Sequence, residues 1–248
     1  MTATRWITLA ALVLWLGQGV AASDATETPA DSKKPTQADA ERMIHAAEGS
    51  LAPVYAPLAE EMVEKLGLVG KEGVAIDLGS GPGTLILELC KRTNLHWLNA
   101  DINPHFFPYF FERAKANGCG GRVSAIEADA CSLPFRDGYA DVVVSRGSLQ
   151  FWSDLGRGLS EIYRVLKPGG AAYIGRGLPE RLPIEVAKRM RSQQDKDMKY
   201  DPDKTEQQLR EIMEKLGIKD YRLHRPRLNN PEGINYGVWL EFHKPGLD

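Results

Sequence analysis

Three carboxylates and one glycine-rich turn are the residues of this chain whose types and order can do chemistry. Asp77, Gly79, Ser80, Gly81 and Gly83 fall in the string VAIDLGSGPG, where an apolar run passes straight into alternating glycines. Glycines at that spacing let the backbone turn sharply and approach a ligand where a side chain would strike it. Taken alone, such a loop is also an ordinary tight turn between a strand and a helix. Asp101 closes the next apolar run, HWLNA, where a carboxylate can accept hydrogen bonds from both hydroxyls of a ribose or can cap the following helix. Asp129, in EADACSLPF, follows a third run and reads either as a ligand contact or as a turn residue.

The elements that must position these residues follow from periodicity. Apolar residues recur at helical spacing over 38–66, and Pro53 and Pro57 divide that stretch into two shorter helices. Short apolar runs at 74–78, 96–100, 123–127, 141–145 and 171–175 read as buried strands, with helices over 84–92, 104–117 and 155–166. Alternating strands and helices predict an α/β fold with a mostly parallel sheet and helices on both faces. The rhythm breaks at the end: a helix over 205–216 precedes strands at 221–225 and 236–243, whose short connection predicts an antiparallel hairpin. In an open parallel sheet the ligand lies outside the carboxyl ends of the strands, which gathers 79–83, Asp101, Asp129 and 145–148 around one crevice.

This arrangement resembles the class I S-adenosylmethionine-dependent methyltransferases. DLGSGPG is similar to the acidic residue and GxGxG of their first motif, Asp101 to their second, and Asp129 with Ala130 to the position beside the adenine amino group. YRVLKPGG, residues 163–170, resembles their signature between the last crossover helix and the fifth strand, where Pro168 stops the helix and Gly169 and Gly170 turn the chain. The features fall in family order, and the resemblance runs over 73–243. It implies a Rossmann-like domain at 73–248 that binds S-adenosylmethionine through Asp77, Gly79, Ser80, Gly81, Gly83, Asp101, Ile102, Asp129, Ala130 and Ser145. It implies methyl transfer to a small molecule, with no catalytic side chain assigned, because the sulfonium makes the methyl carbon electrophilic and the protein supplies orientation and a dry pocket.

The fourth strand ends in SRGSLQFW and lacks the Asn/Asp-Pro-Pro-Tyr/Phe tetrapeptide of the family's amide and base methylating members. It looks more like the methyltransferases of quinone and sterol biosynthesis. Arg146 and Arg176 follow strand ends where guanidinium groups can hold a carboxylate or phosphate of the acceptor, and Phe151 and Trp152 can wall its pocket. His105 and Tyr55 are candidate general bases without an assigned role. Two other readings compete. Tyr163 and Lys167 satisfy the YxxxK of short-chain dehydrogenases, though Lys167 stands at a helix end and the glycine spacing departs from GxxxGxG. A non-catalytic module holding an adenosyl or nucleoside ligand would use the same fold.

Composition bounds the rest. The 248 residues, 43% of them hydrophobic, suffice for one full-sized core in one domain. The 31 Lys and Arg nearly balance the 33 Asp and Glu, which argues against a nucleic-acid partner. Basic residues around 188–199 are mixed with Asp195 and Asp197 and read as a solvated helix face. Cys90, Cys119 and Cys131 lack paired spacing, so at most one bridge is expected, and neither they nor the five histidines form a metal-binding pattern. Arg5, the apolar run 6–16 and small residues up to Ala22 read as a signal peptide over 1–22, with an uncleaved membrane anchor as the alternative. Residues 23–40 are read as a flexible linker and 41–72 as amino-terminal helices. The protein is therefore expected to be exported, to the periplasm or beyond, or else membrane-anchored; its oligomeric state is not legible.

Overall fold

The computed structural model describes residues 34–192 and 200–246. The signal peptide at 1–22, the linker as far as residue 33, and the mixed charges at 193–199 lie outside the described residues. A first helix, α1 (Gln37–Glu48), begins inside the stretch read as linker. The correction has a local cause: Thr36 accepts from the Asp39 amide at 3.2 Å, and Asp39 in turn accepts from the Thr36 amide at 3.0 Å. This reciprocal cap satisfies amides that a frayed end would leave to water. Helix α2 (Ala52–Lys65) follows after Gly49, Ser50 and Leu51. Pro53 sits in its first turn, where no amide is needed, and Pro57 lies inside the helix without ending it. The division into two helices therefore falls ahead of both prolines.

Five parallel strands come next, with helices between them. They are β1 (Val74–Leu78), β2 (His96–Asp101), β3 (Val123–Glu127), β4 (Ala140–Arg146) and β5 (Leu166–Gly177). The intervening helices are α3 (Thr84–Cys90), α4 (Phe107–Ala116) and α5 (Leu155–Val165). The stretch 104–117 is not one helix: a tight turn at Pro104–Phe106 precedes α4, with Pro108 in the first turn of the latter. After β5 come α6 (Ile184–Ser192), α7 (Pro202–Lys215), β6 (Tyr221–His224) and β7 (Gly237–His243). Strand order is β3-β2-β1-β4-β5-β7-β6, with β7 antiparallel to both β5 and β6, so the expected hairpin closes the sheet.

Alternation along each strand builds two cores. Ala75, Trp97, Val142, Val144 and Tyr173 face α2, α3 and α4, while Ile76, Leu98, Val143, Ala172 and Ile174 face α5 and α7. Period-two burial on both faces is what a sheet covered by helices on each side requires. The three cysteines are free and buried, and burial together with neighbouring Cys119 pushes the Cys90 thiol up to about 12. No helix among the described residues is long and apolar enough to cross a membrane.

Candidate functional site

β1 delivers Asp77 and then breaks into the glycine loop. Gly79 and Gly81 have φ of 66° and 56°, in the left-handed region that side chains avoid. The two glycines serve different ends. A Cβ on Gly79 would stand 2.3 Å from Ser148 Cβ, so close packing of the loop from β4 excludes it. A Cβ on Gly81 would meet only Met43 and Phe106, both at 3.8 Å in ordinary van der Waals contact, so there the left-handed backbone and not crowding calls for glycine. Gly83 does not line the cleft; it starts α3, and a Cβ there would strike the Phe110 ring at 2.1 Å.

The loop is held from beneath by polar side chains. Asp101, at the end of β2, accepts from the Gly81 amide at 2.7 Å through Oδ2 and from the Asn103 amide at 2.8 Å through Oδ1. Each oxygen keeps a further lone pair for a ligand hydroxyl. Asn99 donates to the Gly81 carbonyl at 3.0 Å. Ser80 donates to Asp77 Oδ2 at 2.6 Å. Ser145 points into the sheet, where its hydroxyl donates to the Leu78 carbonyl at 2.7 Å and lies 2.6 Å from the Ser148 hydroxyl. It supports the loop from below without reaching the cleft, whereas Ser148 lines it and accepts from Trp152 Nε1 at 3.1 Å.

These parts enclose a cleft of about 310 Å³ at the carboxyl ends of β1, β2 and β4. Of the sequence-derived residues, it brings together Asp77, Gly79, Ser80, Gly81, Asp101 and Ile102, and with them Asp129, Ala130, Arg146 and Trp152. Arg176 lies off the lining, its guanidinium 4.4 Å from the centroid of the Tyr200 ring. Cys131 and His105 are also outside the lining. Sequence reasoning offered Tyr55 as a candidate base but gave Asp39 and Met43 no site role, yet α1 and α2 contribute all three to the cleft. One tie that seats them is Asn103, which donates to the Thr36 carbonyl at 3.1 Å. The Thr36-x-x-Asp39 spacing was the available signal for the helix start, but nothing local says which surface that helix covers.

The cleft is electrostatically loaded. Burial pushes the Asp77 carboxyl up to about 7, aided by the Asp101 charge and opposed by the Ser80 hydroxyl and the Arg146 guanidinium. Burial likewise raises Asp101, against the amides of Asn103, Gly81 and Ile102, and raises the Tyr55 phenol. The dehydrogenase reading fails on geometry. Lys167 bonds Asp141 at 2.7 Å, and Asp141 lies near the start of β4, at the opposite end of the strand from Arg146 and the cleft. Among the described residues no group of three or more His, Cys, Asp or Glu is placed to hold a metal.

Residues 76–174 match the family model described as a methyltransferase domain. The chain is 36% identical over 113 residues to the chloroplastic 2-methyl-6-phytyl-1,4-hydroquinone methyltransferase of Spinacia oleracea, a match covering 45% of this chain and 32% of that protein. It is 38% identical over 100 residues to the demethylmenaquinone methyltransferase of Thermus thermophilus, covering 40% of this chain and 44% of the other. The matches thus span a third to a half of the length of these relatives. In structure it is similar to a candidate S-adenosyl-L-methionine-dependent methyltransferase of Methanococcus maripaludis, with a TM-score of 0.72 and 27% identity over 86% of this chain and 94% of that one. Domain match, sheet order and cleft agree: residues 76–174 carry a methyltransferase domain, and the chain has the Rossmann-like fold of the class I S-adenosylmethionine-dependent methyltransferases.

Proposed function

We propose that this protein binds S-adenosylmethionine in the cleft and transfers its methyl group to a small-molecule acceptor. The observation that carries the reading is the convergence of Gly81, whose left-handed backbone lines the cleft, with Asp101, whose carboxylate is aimed by the Gly81 and Asn103 amides. A carboxylate held that way is pre-oriented for a ribose diol. Asp129 and Ala130 border the adenine end, and Asp77 with Ser80 the other. S-adenosylmethionine supplies an electrophilic methyl on its sulfonium; the chain's part is to bind, align and exclude water.

The acceptor we favour is an apolar ring compound, a quinol in particular. Two observations support it. The spinach and Thermus relatives are named for a phytyl hydroquinone and for demethylmenaquinone. Met43, Ile102, Phe106, Phe151 and Trp152 give the cleft apolar walls, and Phe151 is 79% exposed at its rim, ready to be covered by an apolar partner. Arg176, behind the Tyr200 ring, serves any anionic group on the acceptor only from outside this cleft. Export directed by residues 1–22 belongs to the same proposal; the amino-terminal sequence of the protein recovered from outside the cytoplasm tests it, with a start near Ser23 expected and an intact Met1 overturning it.

Calorimetric titration of the purified protein with S-adenosylmethionine and S-adenosylhomocysteine tests the core of the reading. Micromolar binding followed by methylation of a demethylated quinol is the expected outcome. Binding without turnover on any of a broad acceptor panel would favour the non-catalytic module, and no binding would sink the methyltransferase reading.

A further inference from the structure

Cys90 and Cys119 take no part in lining the cleft; both belong to the core on the α2, α3 and α4 side of the sheet, and each is 3% exposed. Topology brings them together. Because α3 crosses from β1 to β2 and α4 from β2 to β3, in one direction along the sheet, right-handed crossovers lay the two helices side by side on one face. Cys90 ends α3 ahead of β2, and Cys119 follows α4 ahead of β3, where the neighbouring strands pair Trp97 with Val123.

Arg122 brackets the pair. Its amide donates to the Cys119 carbonyl at 2.9 Å, and its guanidinium donates to the Cys90 carbonyl at 2.9 Å and the Thr93 carbonyl at 2.6 Å. One residue thus fixes the backbone of both cysteines, and their side chains meet between α3 and α4. The Cys119 thiol donates to the Ala114 carbonyl at 3.4 Å. Cys131 is held elsewhere: its thiol donates to the Asp154 carbonyl at 3.2 Å and accepts from the Ser153 hydroxyl at 3.3 Å, ahead of α5.

We propose that Cys90 and Cys119 are a disulfide-forming pair, oxidised as the chain folds, with Cys131 left as the free thiol. A cysteine thiolate attacks a small-molecule disulfide such as glutathione disulfide, forms a mixed disulfide and releases one half of it; the second cysteine thiolate then displaces the other half. The new S–S bond replaces the one broken, the two cysteines lose two electrons, and two glutathione thiols leave carrying the two protons. In the finished fold both thiols are shut off from solvent, and burial followed by the Cys119 contact pushes Cys90 up to about 12, so the attacking thiolate is scarce. Oxidation therefore belongs to the open chain, and the bond once buried is protected from reductants. A compartment beyond the cytoplasm, to which residues 1–22 are proposed to direct the protein, holds such oxidants. The closed loop 90–119 carries β2 and Asp101, so the bridge ties down the carboxylate aimed at the cleft. The pairing does not depend on what the cleft binds.

The test is refolding under two redox conditions. The full chain is unfolded in urea and refolded in a mixture of oxidised and reduced glutathione, and in parallel with a reductant alone. Free thiols are alkylated in denaturant, and the digest is analysed by mass spectrometry without reduction. The expected result in the oxidised sample is the Cys90 peptide joined to the Cys119 peptide, with Cys131 alkylated. Closing a loop of this size lowers the unfolding constant on the order of 100-fold, so the oxidised chain should unfold at higher urea than the reduced one. Cys119→Ala should abolish both the link and the difference in midpoint, leaving Cys90 alkylated. Three alkylated cysteines in the oxidised sample would overturn the pairing, and so would a link that includes Cys131. A Cys90–Cys119 link with no gain in midpoint would overturn it as well, by showing that the native fold does not accept the bond.

Discussion

At the amino-terminal edge of the parallel strands, Asp141 Oδ2 accepts both the Lys167 ammonium at 2.7 Å and the Val74 amide at 2.8 Å; at the carboxyl edge, Arg146 keeps a buried Nε with no partner. The contrast extends outward. Near the first edge Arg164 bonds Glu161 and the carbonyls of Leu133 and Phe135, and Lys244 caps the carbonyls of Tyr163, Arg164 and Leu166. At the second edge two carboxylates, Asp77 and Asp101, are buried close enough for the charge of one to raise the other. A buried polar group without a partner costs about 1–3 kcal/mol, so such capacity persists where a ligand supplies what the protein withholds. One edge of the sheet is finished by folding, and the other is finished by binding.

The sharpest way to break this comparison is Asp101→Ala. It removes the acceptor offered to the ribose and the hold on the Gly81 amide together. Loss of S-adenosylhomocysteine binding by about 100-fold or more is expected in a calorimetric titration, with about 1–3 kcal/mol of stability lost in urea melts. Retained binding would place the cofactor elsewhere.

Glycines at the two edges make a second test. Gly79→Ala meets Ser148 Cβ at 2.3 Å and adopts a φ of 66°, so it should cost about 2–4 kcal/mol and impair binding. Gly138→Ala, in the turn near Lys167, has a similar φ of 61° but no neighbour nearer than Lys167 Cα at 4.0 Å. It should cost only the backbone term of about 1–2 kcal/mol and leave binding intact. Equal costs in urea denaturation would mean that the Ser148 contact yields freely.

The Asp77 carboxyl gives a pH signature. Its folded pKa of about 7 stands above the 3.8 of an exposed aspartate, so the folded state holds a proton that the unfolded state releases. Its contribution to stability is full below about pH 4 and is lost as pH rises toward 7, an effect on the order of 2–4 kcal/mol. Asp77→Asn should flatten the stability profile of the ligand-free protein between pH 4 and 7. A wild-type profile already flat over that window would show Asp77 to be ionised in the fold.

Much of the fold was legible because strand burial has period two; the Pro168, Gly169 and Gly170 turn expected ahead of the fifth strand instead lies inside β5, as a shift of register against β4. The loop carboxylates were legible because Asp77, Asp101 and Asp129 close apolar runs. What escaped is long-range. Asp39 and Met43 reach the cleft only because α1 packs over it, and no local pattern encodes that contact. Ser145 and Gly83 sit at the right places along the chain but turn toward the Leu78 carbonyl and Phe110. Arg176, one position beyond the level of Arg146 and one strand over, is carried off the cleft lining and onto Tyr200.

The smallest expected effect lies at the finished edge. The Lys167 and Asp141 side chains are 38% and 28% exposed, so their ion pair is screened by solvent and worth no more than about 1 kcal/mol. Lys167→Met keeps most of the aliphatic stem, and Asp141 keeps the Val74 amide as a partner. A shift in the urea midpoint equivalent to less than about 1 kcal/mol is expected, with no change in affinity for S-adenosylhomocysteine. The same variant tests the YxxxK pattern, because a dehydrogenase lysine could not be replaced without losing a reaction. Any loss of ligand affinity would mean that the two edges communicate through β4, and the division between a finished edge and an open one would no longer hold.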